Sequence, residues 1–291
     1  MFDITGEAIA QSVLNGFCLG WSYILIAIGL SLIFGIMNIL QFAHGEVYML
    51  GSYCVYAFSV MVGLNFFLAL IISIALMALL GLFLERFIFR PLGGELLTTL
   101  IVSLGLMIIL QAGVQVGFGV TPKSYPIISH AAVANIMGMK MAADRLMVVG
   151  ISIAAILGLF FGLKKTKLGQ ALIASAQHFA AARLMGINPN LMAATAMAIG
   201  SALAAVAGGL MGSIFRFDPF MGGAALLKGL IVVITGGKDS ILGVVLAGLL
   251  VGLVDGIFPV LFGPAVASIA SLVIVVIILL IRPQGFLGHA Q

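Results

Sequence analysis

An all-α polytopic membrane fold, with about eight transmembrane helices plus broken or re-entrant half-helices, follows from three features of the 291-residue sequence. First, 63% of the residues are apolar and 8% are charged, against about 25% charged in a soluble domain. Thirteen cations and nine carboxylates cannot coat a 30.3 kDa globule, and the mean hydropathy is +1.31. Second, Asp, Glu, Lys and Arg are absent from 8–45, 47–84, 96–122, 146–163, 184–215 and 256–281, and a single crossing needs only about 20 apolar residues. Third, these runs do not alternate apolar with polar residues, as the strands of a membrane barrel would. Together the three features exclude a soluble enzyme, a disordered chain, a nucleic-acid binder and a disulfide scaffold.

The spans are bounded by the returning charges. Residues 11–34 are expected to form a retained first span, because Asp3 and Glu7 stand where a cleavable signal would carry Lys or Arg. The run 47–84 is too long for one crossing, and Gly63-Leu64-Asn65 offers a turn that divides it into 46–63 and 66–86. Further helices are expected at 96–117, 145–163, 191–213, 241–258 and 264–281. Arg86 and Arg90 follow the third helix, Lys164, Lys165, Lys167 and Arg183 the fifth, and Arg282 the last. The positive-inside rule puts all three regions in the cytoplasm and turns the segment 118–144 outward. Three full helices between the loop 164–190 and Arg282 would leave Arg282 on the wrong side. A short extra membrane segment near 222–235 restores the parity, and 35–45 is a similar segment near the N-terminus. Broken helices persist at membrane depth only where they line a protein-buried or watery cavity, so both are candidates for a transport path.

Polar residues gather at the first break. Asn38, Gln41, His44 and Glu46 stand close together with Phe42, flanked by Gly35 and Gly45. Polar groups at that depth are costly unless satisfied. The segment therefore reads either as a re-entrant element lining a pathway or as an interfacial loop that caps two helices. Gly236 and Gly237 end the second break. Gly237-Lys238 is not a phosphate loop, since Asp239 follows the lysine and an apolar residue holds the first glycine position. Lys228 is expected to pair with Asp218 or Asp255 or to snorkel to the interface, and Asp255, beside Gly256 and Pro259, to sit in interfacial water. Within 164–190, Leu172, Ala176, Phe179, Arg183 and Met185 suggest a short amphipathic helix closed by Gly186 and Pro189. By composition alone, that is a surface helix lying at the lipid interface. Gly200, Ala204, Gly208 and Gly212, like Gly248, Gly252 and Gly256, recur every four residues, as close helix packing or a subunit interface requires. Cys18 and Cys54 and the scattered histidines (His44, His130, His178 and His289) form no metal or catalytic set.

Four segments carry a resemblance. GLSLIFGIMNILQFAHGEVYMLGSY (29–53), LGQALIASAQHFAAARLMGINPN (168–190), LLKGLIVVITGGKDSILGVVLAGLLVG (226–252) and the closing Arg282-Pro283-Gln284-Gly285 resemble, in order, the LivH-type permease of branched-chain amino acid ABC importers. The resemblance runs from about residue 11 to 288 and implies a bacterial inner-membrane permease that is not itself an enzyme. It implies a homologous second permease subunit, two ATP-binding subunits that hold ATP and Mg, and an extracytoplasmic solute-binding protein. This chain then binds no cofactor of its own, and its only other partner is membrane lipid. Asn38, Gln41, Phe42, His44, Gly45, Glu46, Gly236 and Gly237 would lie along the substrate pathway. The stretch Ala174 to Asn188 would be a coupling helix, with Ala174, Ala176, Gln177, Ala182, Arg183, Gly186 and Ile187 facing the ATPase. Three departures stand out: His178-Phe179-Ala180 where relatives carry polar or acidic residues, Gln41 where Asn is common, and Lys238-Asp239 in the second glycine-rich block. Related permeases carry urea or short amides, so that substrate class stays open. An ion-coupled secondary transporter using Glu46 or Asp255, or a passive solute channel, is the alternative from another class.

Overall fold

A computed structural model describes residues 6–93, 95–125, 133–136, 139–237, 240–282 and 285–286. The chain enters through α1 (Gly6–Met37), which at 32 residues is about 48 Å long. An irregular segment, 38–43, leads to the short α2 (His44–Tyr56) and a π-helical turn at Ala57–Met61. Then come α3 (Phe66–Leu84), prolonged by a π turn and a 3-10 turn to Leu92, α4 (Leu96–Phe118), and a strand pair, β1 (Val133–Ile136) with β2 (Met139–Ala142). α5 (Ala143–Lys165), the paired short helices α6 (Lys167–Gln177) and α7 (Phe179–Leu184), and α8 (Pro189–Ile214) follow. The chain closes with α9 (Met221–Gly236), α10 (Ile241–Phe262) and α11 (Pro264–Ile281).

Six helices among the described residues are long and apolar enough to cross a bilayer: α1, the extended α3, α4, α5, α8 and α10. Six of the roughly eight expected crossings are thus identified among the described residues. The predicted helix 46–63 is thirteen residues of α-helix followed by a π turn, and the predicted last span is the 18-residue apolar helix α11, which is not counted among the six. The extra segment called for by charge parity is present as α9, whose 16 residues span about 24 Å.

α1 and α8 form the centre. α1 packs antiparallel on α10 through a seam of glycines. A Cβ on Gly16 would lie 2.7 Å from the carbonyl of Gly252, and one on Gly252 only 2.3 Å from Gly20. α8 packs on α1, α2 and α3 with Ala204, Ala205, Ala207 and Leu210 fully buried. The four-residue stripes therefore serve packing within the chain. Lys123 and Phe217 exchange backbone hydrogen bonds (2.8 and 2.9 Å), so the segments after α4 and after α8 lie at one end of the bundle. There Phe217 packs edge-on against Tyr53 and Tyr125, and the buried Tyr125 hydroxyl donates to the Gly209 carbonyl at 2.8 Å.

Candidate functional site

α1 ends where Asn38 takes φ = 52°, the left-handed region in which asparagine is among the better-tolerated residues. The chain then turns back along α1, and α2 begins inside the bundle rather than at its end. His44 shows this placement. Its Nε2 lies 3.1 Å from where a Cβ on Gly29 would stand, and Gly29 in turn meets the Gly200 carbonyl in mid-α8. Gly45 crosses Gly222 of α9 backbone to backbone, where a Cβ on Gly45 would be 2.2 Å from the Gly222 carbonyl oxygen. The glycine at 45 is thereby explained by close approach.

The structure brings Gln41, Phe42, His44, Gly45 and Glu46 together between α1, α4, α8 and α9. Gln41 is 1% exposed, and His44 and Glu46 are 0% exposed. The amide of Gln41 and both carboxylate oxygens of Glu46 have no hydrogen-bond partner among the described residues, and the His44 ring faces the backbone of Ile26. The Glu46 carboxylate lies beside Gly222, whose Cβ would stand 2.8 Å from Oε1. Buried polar groups are nearly always satisfied, so two unpaired side chains within six residues, beside a buried histidine, mark a place built for another occupant or another arrangement. The backbone is tied more firmly: the Phe42 amide donates to Ser103 Oγ at 3.3 Å, and the His44 amide to the Gln41 carbonyl at 3.2 Å. Asn38 stays exposed at the end of α1.

Gly236 and Gly237 do not join this cluster. They lie at the opposite end of α9, about 21 Å from Gly222 along the helix. There Gly236 packs on Val244, and the Phe286 amide donates to the Thr235 carbonyl at 2.8 Å. Lys238 and Asp239 lie outside the described residues.

The segment 164–190 forms an elbow with a different internal structure from the single helix expected over Ala174 to Asn188. His178 (φ = −148°, ψ = 87°) interrupts it between α6 and α7, Gly186 turns the chain at φ = 84°, and Pro189 opens α8 instead of closing the elbow. Of the residues assigned to coupling, Ala176, Gln177, Arg183 and Gly186 are exposed, Ala174 and Ile187 partly so, and Ala182 is buried. Leu184 and Met185 are 89% and 84% exposed. The other side of the elbow is anchored. Leu172 is buried with Ile36, Leu163, Met192 and Ala196, and Ile187 packs on the same group. Ala176 meets Gly35, three residues before Asn38.

Sequence reading offered the Lys228–Asp255 pair but missed the cluster built around it. The Asp255 carboxylate is held by side chains from three other helices. Lys228 Nζ donates to its Oδ1 at 2.8 Å and to Ser271 Oγ at 3.0 Å, the Tyr23 hydroxyl donates to its Oδ2 at 3.0 Å, and Ser271 donates to Oδ1 as well. Of the two partners proposed for Lys228, Asp255 is the one; Asp218 instead accepts the Phe220 amide at 2.8 Å. The cluster joins α1, α9, α10 and α11. Tyr23 and Ser271 sit in apolar runs with no local signal, 232 and 16 residues from Asp255. Arg90 and Glu85 form a second ion pair at 2.6 Å, at the end of the extended α3.

Comparison with known proteins agrees with this architecture. A family model described as branched-chain amino acid transport system / permease component matches residues 12–282. The chain is 32% identical over 295 residues to the high-affinity branched-chain amino acid transport system permease protein BraD of Pseudomonas aeruginosa, covering 97% of this chain and 96% of that one. It is 30% identical over 298 residues to LivH of Escherichia coli K12, with the same coverage. A probable LivH of Methanocaldococcus jannaschii is 26% identical over 280 residues, covering 91% and 88%. Full-length similarity, apolar spans and a broken polar segment within the bundle lead to one conclusion: this chain is an integral, multi-pass membrane protein and belongs to the family of permease components of branched-chain amino acid transport systems.

Proposed function

We propose that the chain is the membrane-spanning permease subunit of an ATP-driven importer in a bacterial inner membrane, moving leucine, isoleucine, valine or similar amino acids inward. It works with a homologous permease, two ATP-binding subunits and an extracytoplasmic solute-binding protein. The observation that carries this reading is the elbow. Its outer side presents Leu184 and Met185 almost fully exposed beside Arg183, while its inner side is fixed through Leu172 and Ile187 to Ile36, two residues from the break. Exposed apolar residues on a charged, helix-bounded loop suit a protein partner. The cations Lys164, Lys165, Lys167 and Arg183 put that loop on the cytoplasmic side. The chain carries no nucleotide motif, so the work must come from outside it, and the elbow is where force enters.

Force on α6 and α7 is passed by packed side chains, not by a flexible linker. Displacing Leu172 and Ala176 moves the last turn of α1, and with it the buried Gln41, His44 and Glu46. These groups supply donors and acceptors for a zwitterion crossing the bundle, and apolar neighbours such as Phe42, Leu226 and Leu230 suit an aliphatic side chain. In proteoliposomes holding the complete complex, Arg183→Glu and Leu184→Asp should each abolish ATP-dependent leucine uptake while the solute-binding protein keeps its affinity for leucine. Normal uptake and ATP hydrolysis in both variants would refute the elbow's role. Accumulation by the purified chain alone, without ATPase subunits, would point to an ion-coupled carrier. Urea or short amides outcompeting leucine would correct the substrate class.

A further inference from the structure

We infer that the chain carries a binding site for one anionic phospholipid on its cytoplasmic half, with an acyl chain in a groove between α3, α5, α6 and α8 and the headgroup on Lys164, Lys165 and Lys167. The groove encloses about 350 Å³ and is lined by Gly158, Gly162, Leu163, Leu168, Leu172 and Leu203 among others. That volume is within the range of small-molecule sites. Its mouth is open, since Gly158, Thr166 and Leu168 are exposed. Nothing polar in it asks for a polar guest: the Thr166 hydroxyl, the one side-chain polar group in the lining, donates to the Gly162 carbonyl at 2.6 Å and accepts the Gly169 amide at 3.0 Å.

Length and charge identify the occupant. From Ala155 to Thr166 the groove follows α5 for eleven residues, about 16 Å, which matches roughly the 15 Å of one leaflet's hydrocarbon. At its cytoplasmic end stand three lysines, and residues 146–215 carry no carboxylate at all. None of the three takes part in an ion pair among the described residues. Lys164 Nζ lies 4.4 Å from the Phe160 ring centroid and Lys165 Nζ 5.8 Å from that of Phe161, so both ammonium groups are held at the apolar boundary, where a lipid phosphate sits. A protein segment would have to satisfy its own backbone in this dry slot, which a hydrocarbon chain need not do. The site goes beyond the transport reading and does not depend on which solute is carried.

The test is native mass spectrometry of the purified complex, titrated with phosphatidylglycerol or with phosphatidylcholine of the same acyl chains. The unaltered complex should retain phosphatidylglycerol preferentially. Replacing Lys164, Lys165 and Lys167 with Gln should remove that preference, by about fivefold per charge. A Cβ on Gly158 meets nothing within 4 Å, so Gly158→Leu starts from an open position in the lining and should occupy the groove and remove the adduct. Gly150→Leu, equally unobstructed but outside the lining, should keep it. Equal retention of the two lipids, or full retention in an assembled Gly158→Leu complex, overturns the site. So does equal binding of the deacylated headgroup, or a groove that takes lipid only when the chain is separated from its partner subunits. If Gly158→Leu does not assemble, the lysine variant decides alone: an unchanged preference overturns the proposal.

Discussion

At the level of single residues, two kinds of position dominate, those with no room and those with no partner. Gly45 belongs to the first kind. A methyl group there runs into the Gly222 carbonyl, and overpacking of a tight contact costs about 1–3 kcal/mol or more. Gly45→Ala should therefore lower thermal stability and transport together, whereas Gly113→Ala, with open space around it, should change neither; equal melting temperatures for the two would contradict the crossing. Asp255 belongs with the satisfied charges. Removing Lys228 alone leaves a carboxylate facing only Tyr23 and Ser271, and an uncompensated buried charge costs about 3–5 kcal/mol. Lys228→Met should thus be worse than Lys228→Met with Asp255→Leu. Thermal unfolding of the purified variants measures this, and strict additivity would show that the ion pair contributes nothing. The buried polar set Gln41, His44 and Glu46 was legible because each residue is costly where hydrophobicity puts it, whereas Asn38 of the same segment stays exposed. The donation of Tyr23 and Ser271 to Asp255 was not, because one tyrosine and one serine in apolar runs carry no periodicity and reach the carboxylate only after the helices assemble.

At the level of elements, the informative ones are the short ones. α2 and α9 are each too short to cross unaided, and each meets the other at its N-terminal end, through Gly45 and Gly222. Charge parity made α9 foreseeable, since without it Arg282 would be on the wrong side. The start of α2 was foreseeable from the polar cost of 38–46, while its π turn at Ala57–Met61 was not, because nothing in AFSVM breaks a helix. The elbow shows the opposite failure. Its amphipathic pattern was clear, but the interruption at His178 depends on backbone angles that composition does not fix. Gly186 turns the elbow at φ = 84°, and a side chain there costs about 1–3 kcal/mol. Gly186→Ala should reduce coupling by misaligning α7 against α8 without exposing any buried surface. A complex that hydrolyses ATP but transports more slowly is the expected result, and unchanged transport per ATP would count against it.

At the level of the whole molecule, the fold class was the most legible property, because it follows from how little charge the chain has. The number of crossings was less so, since length and hydropathy cannot separate a 16-residue half-span from a full one. The order of sides is testable directly. In a chain with Cys18 and Cys54 replaced by Ser, a cysteine at Ser240 should react with an impermeant thiol reagent only from the cytoplasmic face, and one at Arg216 only from the opposite face. Reaction of both from one side would mean that α9 does not cross.

The glycine seam between α1 and α10 has a consequence for how the chain is made. Gly16 and Gly252 touch backbone to backbone yet are separated by more than two hundred residues of sequence. A ribosome delivers about 5–20 residues per second, so the first helix waits on the order of ten seconds or more in the bilayer before its mate is synthesised. During that interval its small-residue groove faces lipid or an insertion factor. A chain that stops short of α10 never covers the groove formed by Gly16 and Gly20.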